Sequence, residues 1–287
     1  MSDDDKPGTP KDSHYARLRR AHRDRKGGGE RPAAMPRPRP SKPPHEPIPP
    51  GQVRLYGLHT VRAALDNPKR RIARMAVTRN ALARLELGED HGLPFPVEMV
   101  EPRAIDRLVG GDAVHQGVVI DAFPLTARRL SDLGEASLLL VLDQVTDPHN
   151  VGAIMRSAVA FNVDAFITTG RHSPSESGVL AKAASGALEL IDHIEVGNLA
   201  DALGELHGAG FQTIGLDSEG TVELEAAFAE PRVALVLGAE GKGLRQKTRE
   251  TVTTLARLDM PGAIRSLNVS NAAAVALYAA RRHLAEG

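Results

Sequence analysis

The chain has 287 residues, Lys+Arg 36 against Asp+Glu 36, and no cysteine. Balanced charge excludes a global field that draws the molecule to nucleic acid, and the missing cysteine excludes a disulfide framework, a thiolate metal site and a cysteine nucleophile. Aromatic residues make up 3% and Trp is absent, which argues against reading bases by stacking on an aromatic platform. The N-terminus "MSDDDK" has no apolar signal region and no later apolar run is long enough to span a bilayer, so a soluble, cytoplasmic protein with no membrane contact is expected.

Residues 1–50 hold more than half of the 20 prolines and the cations Arg17, Arg19, Arg20, Arg23, Arg25 and Lys26. So few apolar residues and so many prolines predict a disordered tail. It is either an inert linker or a basic arm that touches RNA phosphates without sequence choice.

From Gly51 the composition turns globular. "LYGLHTVRAAL" predicts a helix with Leu58, Val61, Ala64 and Leu65 on one face. "RRIARMAVTR" alternates as a strand does, "PFPVEMV" is a short extended piece, "PRAIDRLVG" a helix, and "HQGVVIDAFPL" a third strand. Residues 51–126 therefore read as a small mixed α/β domain, and 127–135 ("TARRLSDLGEA") as a linker.

At residue 136 the pattern changes. "SLLLVLDQV" is a continuous apolar run ending in an acid, as in a strand buried on both faces. A helix from Val151 to Phe161 follows. Then "VDAFITTG", a helical "ESGVLAKAASGALEL", "IDHIEV", a helix in "NLADALGELHGAG", "FQTIGLD" and "RVALVLG" alternate strand with helix. Residues 136–287 are predicted to form a parallel α/β sheet covered on both sides, with ligands bound beyond the carboxyl ends of its strands.

Three segments just after predicted strands break the pattern with polar residues. In "DQVTDPHNVGAIMRSA" either Asp147 or Asn150 can cap the helix, and Arg156 lies on solvent or on the sheet's carboxyl edge. Six helical residues turn through about 600°, so Asn150 and Arg156 cannot share one stripe and Asn150 is expected in the loop. "LVLGAEGKGLRQ" crowds glycines after a buried strand, suiting close backbone approach or simple turn chemistry. It lacks the Lys-Ser/Thr pair of a phosphate-binding loop, which disfavours a nucleotide hydrolase. Glu240 amid those glycines is placed to hold a cation. "IRSLNVSNAAAVALYAARRHL" opens a helix with Ser266, Asn268, Ser270 and Asn271, more polar side chains than one cap uses.

In this order, "DPHNVGAIMRSA", "LVLGAEGKGL" and "SLNVSNAAAVALY" resemble the three motifs of the SpoU class of RNA 2′-O-ribose methyltransferases, in the SPOUT superfamily. "YGLHTVRAAL" and "HQGV" resemble the small RNA-binding domain of the branch that modifies guanosine in 23S rRNA. The resemblance covers residues 51–287. It implies a deep trefoil knot in the C-terminal domain, S-adenosyl-L-methionine as cofactor and no metal. It further implies a homodimer packed through the C-terminal helices, where Val275, Leu277, Tyr278 and Leu284 supply a face.

Matched by position, the implied catalytic set is Asn150, Arg156, Glu240, Ser266 and Asn268. The implied cofactor contacts are Gly238, Leu258 and Leu267, with Leu237, Ala239 and Met260 beside them. "LARLDMPG" departs from the family's usual Ile-Pro-Met order. The implied chemistry is attack of a ribose 2′-oxygen on a sulfonium methyl, with Arg156 either accepting the hydroxyl proton or stabilising the alkoxide. Glu240 is expected to orient Arg156 or a backbone amide. The implied partner is 23S rRNA or an assembling large subunit. A tRNA substrate, or a non-enzymatic assembly factor on the same scaffold, are the alternatives.

Overall fold

The structure, a computed structural model, describes residues 46–88 and 92–286. The expectation of a disordered tail lies outside the described residues up to 45. Its last stretch, 46–50, is exposed, and Glu46 is tied down: its carbonyl accepts from Arg54 at 2.8 Å and its carboxylate meets Arg74 at 2.9 Å.

The N-terminal unit runs β1 (Val53–Tyr56), α1 (Leu58–Asp66), β2 (Ile72–Val77), α2 (Arg79–Arg84), β3 (Val97–Met99), α3 (Pro102–Val109) and β4 (Val118–Ala122). Its four-stranded sheet has the order β1-β4-β2-β3 and is mixed, with β4 antiparallel to β1 and β2, and β3 parallel to β2. The predicted α1 begins later than "LYGLHTVRAAL" suggests. Leu55 and Tyr56 belong to an additional strand, and Gly57 at φ +94 turns the chain into the helix. That φ is unfavourable for a residue bearing a Cβ. Across this sheet Arg54 and Arg74 both grip the buried Asp121 carboxylate at 2.7 Å. Burial alone would raise that carboxyl. The two guanidinium groups outweigh it and hold it below the usual carboxylate range.

Residues 127–135 do not hang free. Arg128 donates its backbone N–H to the His193 carbonyl at 2.8 Å, and a 3₁₀ turn follows at Leu130–Asp132.

The C-terminal unit runs β5 (Leu138–Asp143), α4 (Pro148–Ala160), β6 (Ala165–Thr169), α5 (Gly178–Ala184), β7 (Asp192–Val196), α6 (Leu199–Gly208), β8 (Gln212–Leu216), β9 (Val222–Glu223), α7 (Leu224–Ala227), β10 (Val233–Gly238), α8 (Gln246–Thr251), β11 (Thr254–Arg257) and α9 (Val269–Glu286). Its seven strands are parallel in the order β7-β6-β5-β10-β8-β11-β9. The apolar run of β5 divides by residue parity. Leu138, Leu140 and Leu142 join the core shared with α4, α5 and α9, while Leu139 and Val141 join the core shared with α6. Both faces are covered, so the run needs no polar alternation.

β5 and β10 lie side by side, although the chain leaves β5 toward β6 and reaches β10 only after β8, β9 and α7. Their carboxyl ends, Asp143 paired with Gly238, form a topological switch point where a crevice opens between diverging connections. The chain then leaves β11 and returns along residues 258–268 to α9, which packs on α4 and buries Ala273, Ala276, Leu277 and Ala280 completely. Small residues on that face let the two helices approach closely.

Candidate active site

All three polar segments meet at this switch point. Asp147, not Asn150, caps α4: its carboxylate accepts from the His149 N–H at 3.0 Å, and Pro148 fills the first helical position, where no N–H is needed. Asn150 is therefore not a loop residue. It occupies the first turn of α4, and its side chain points back over the carboxyl edge of the sheet.

There the Asn150 Nδ2 donates to Glu240 Oε2 at 3.4 Å, and its Oδ1 accepts from Asn268 Nδ2 at 3.1 Å. Asn268 has its own second task. Its Oδ1 accepts from the Ser270 N–H at 2.8 Å and the Ser270 hydroxyl at 2.6 Å, capping α9. The crowd of polar side chains before α9 is thus divided: Asn268 and Ser270 close the helix, and the Asn268 amide links two distant motifs. Glu240 holds Asn150 rather than Arg156, as the structure draws it.

Arg156 and Ser266 are not joined to this set. Both are exposed, and among the described residues neither makes a side-chain hydrogen bond or ion pair. Arg156 leaves α4 on the solvent side, six residues along the helix from Asn150.

The glycine loop after β10 is closed by its own backbone. Ala239 and Gly243 exchange N–H···O bonds at 3.1 and 2.8 Å, with Gly241 at φ +76 and Gly243 at φ +65. A Cβ on Gly238 would sit 2.1 Å from the Gly243 carbonyl carbon, so only glycine fits there. The loop is then pinned to β5. Asp143, fully buried, accepts from the Arg245 backbone N–H at 2.9 Å and from Arg245 Nε at 2.6 Å. Sequence reasoning gave neither residue a role. The available signal was an acid ending an apolar strand and a cation just beyond the glycines.

Leu237 and Gly238 end β10, Ala239 starts the loop, Leu258 and Met260 follow β11, and Leu267 precedes α9 with 42% of its surface exposed. All lie at the carboxyl edge. Among the described residues, the segment 258–267 makes no backbone–backbone hydrogen bond outside the sheet ladder and the helices, and Arg265 Nη1 donates to the Met260 carbonyl at 3.3 Å. N–H and C=O groups left without backbone partners beside exposed apolar side chains suit a ligand that joins a purine edge to a sulfonium, such as S-adenosylmethionine. Among the described residues, no group of three or more His, Asp or Glu is placed to hold a metal ion, and no helix is long and apolar enough to cross a membrane.

The family model described as SpoU rRNA Methylase family matches residues 137–278, and that described as RNA 2′-O ribose methyltransferase substrate binding matches residues 54–127. A 23S rRNA (guanosine-2′-O-)-methyltransferase of Ralstonia nicotianae is 41% identical over 79% of this chain and 94% of its own. The chain belongs to the SpoU rRNA methylase family. A relative of the same name from Vibrio vulnificus is 36% identical over 79% of this chain and 96% of its own. Among solved family structures, the AdoMet-bound rRNA methyltransferase of Sinorhizobium meliloti superposes with a TM-score of 0.69 at 26% identity, covering 82% of this chain and 88% of that one.

Proposed function

We propose that the protein transfers a methyl group from S-adenosyl-L-methionine to the 2′-hydroxyl of a guanosine ribose in 23S rRNA, on free RNA or an assembling large subunit, in the cytoplasm. The observation that carries this reading is the Asn268–Asn150–Glu240 link, which gathers three motifs into one cluster at the carboxyl edge of the sheet. The family membership and the names of the full-length relatives support the substrate class.

When bound, the cofactor supplies a methyl already activated on a sulfonium, so the protein's work is binding, orientation and charge. The backbone of Leu237, Gly238 and Ala239, with Leu258, Met260 and Leu267, is proposed to hold the cofactor. Asn150 and Asn268 fix one another and leave their remaining hydrogen-bonding capacity to the ribose. Ser266, exposed on the return segment, is placed to contact the same sugar. Arg156 presents a cation to the attacking oxygen, stabilising charge as the hydroxyl proton leaves to water or a phosphate. Glu240 keeps Asn150 oriented.

Two features of assembly belong to this reading. The return of residues 258–268 from β11 across to α4 supports the trefoil knot that the motif resemblance implies. A homodimer through α9 is supported by Val275 and Tyr278, which are 46% and 55% exposed. Leu277, by contrast, is fully buried and Leu284 packs on the same core, so these two belong to the subunit's own interior.

The test is transfer of labelled methyl to rRNA lacking its 2′-O-methyl groups, with mapping of the modified nucleotide. Arg156→Ala should lower kcat by about 10²–10³ with donor affinity intact, and Arg156→Lys should recover part of the loss. Transfer at wild-type rate by both variants would remove Arg156 from the reaction.

A further inference from the structure

The helix α5 has no part in the three motifs, yet both units are built against it. On one side it meets the N-terminal unit. A Cβ on Gly178 would lie 2.6 Å from the Arg54 carbonyl oxygen and 2.4 Å from the Tyr56 ring, and Thr60 Oγ1 donates to the Ala181 carbonyl at 3.2 Å. Just beyond the helix, Arg70 reaches across to Glu189 and Glu176 at 2.6 Å, its guanidinium fully buried. On the other side α5 meets α4. A Cβ on Gly152 would lie 2.5 Å from the Ala183 Cβ and 2.7 Å from the Ala184 nitrogen. The cores follow the same path, since Leu55, Val61, Leu180, Ala184, Val151 and Met155 belong to one buried cluster.

One polar contact in this seam is chemically specific. Lys182 Nζ donates to Gln116 Oε1 at 2.6 Å, and the same oxygen accepts the Leu58 N–H at 3.2 Å. Gln116, from the "HQGV" stretch, is held at φ +56, and Gly57 leaves room for the ammonium, which a Cβ there would approach to 2.6 Å. Lys182 has no carboxylate partner among the described residues. Burial lowers its pKa, the sign of an ammonium kept in place by a neutral amide alone.

We propose that Lys182 is a positioning residue for the RNA substrate: its bond to Gln116 sets the N-terminal unit on α5, and α5 sets the α4 that bears Asn150 and Arg156. This rests on the proposed function, with RNA also held by the N-terminal unit that the substrate-binding family model matches. Loosening the bond leaves each unit folded but misaligned. The effect then falls on RNA binding, not on the proposed donor contacts that follow β10 and β11.

The test uses full-length Lys182→Met, Gln116→Met and the double variant, with three readouts: rRNA methylation against RNA concentration, filter-binding affinity for 23S rRNA, and donor affinity by calorimetry. Each single variant should raise the RNA KM and Kd about tenfold, as expected for losing one charge-assisted hydrogen bond, with kcat and donor affinity unchanged. The double variant should be no worse than either single one, since both remove the same contact. Unchanged RNA affinity, additive losses, or a parallel fall in donor affinity would overturn the proposal. If the wild-type chain methylates no rRNA the proposed function fails, and the affinity ratios still decide the role of Lys182.

Discussion

Asn268 donates its side-chain amide to Asn150 at 3.1 Å across 118 positions of sequence. Each amide has a second partner, Glu240 for Asn150 and the first turn of α9 for Asn268. Neither side chain can turn over without breaking both of its bonds. The orientation of the cluster is therefore fixed before any ligand arrives, which is what preorganised stabilisation of a transition state requires.

Asn150→Ala removes both ends of that link. Because the residue is only half-buried at a helix start, the fold should tolerate it, with a loss near 1 kcal/mol. Activity should fall far more, by about 10²-fold in kcat. Asn150→Asp keeps the acceptor for Asn268 but sets a second carboxylate against Glu240, so it should be no better than alanine. A kcat for Asn150→Ala within twofold of wild type would show that the link is structural only.

Gly238→Ala tests the closed glycine loop. With the Gly243 carbonyl carbon 2.1 Å from any added Cβ, the loop must open or β10 must shift. Overpacking of this kind costs about 1–3 kcal/mol. Donor binding, measured by calorimetry, should be lost while far-UV circular dichroism stays native. Wild-type donor affinity in this variant would separate the loop from the cofactor site.

The layered fold was legible because period and run length are written locally. "SLLLVLDQV", "VDAFITTG" and "RVALVLG" became β5, β6 and β10, and both predicted faces were covered. The missed elements are short, namely β1, α2, β9, α7, α8 and β11, each six residues or fewer, where tertiary neighbours rather than periodicity supply the stabilisation. In the site, helix geometry rightly kept Asn150 and Arg156 off one stripe. It wrongly sent Asn150 into the loop, because Asp147 is the better-placed cap. The partnership of Asp143 with Arg245 joins residues 102 apart, and no local pattern carries such information. The same is true of α9: alternation along the helix cannot tell Leu277, buried in the core, from Tyr278, exposed beside it.

His193 should give the fold a measurable acid sensitivity. Burial lowers its imidazole below the ordinary range, outweighing the nearby Glu195 carboxylate, and its Nε2 meets Thr168 Oγ1 at 2.8 Å. The folded state thus favours the neutral ring. Stability from this site is fully present above the unfolded pKa of about 6.5. It is lost as pH falls from there toward the folded value, because the unfolded chain then binds more protons. Thermal melts between pH 8 and pH 5 should show a decline that is shallower in His193→Gln. Identical slopes in the two proteins would assign the decline to other groups.

The dimer prediction rests on two side chains. Val275 and Tyr278 stand three residues apart on the outer face of α9, and Tyr278 is braced edge-on by Phe161 with ring centroids 6.2 Å apart. An aromatic held in place by its own subunit loses little freedom on association, which favours it as an interface anchor. Val275→Arg with Tyr278→Arg should leave the monomer folded, since neither residue enters the core. Against a second copy of the same helix, the pair places like charges face to face, which destabilises association by several kcal/mol. Sedimentation at micromolar concentration should find a dimer for the wild type and a monomer for the variant. A wild-type monomer, or a variant dimer of undiminished affinity, would rule out this face of α9 as the contact.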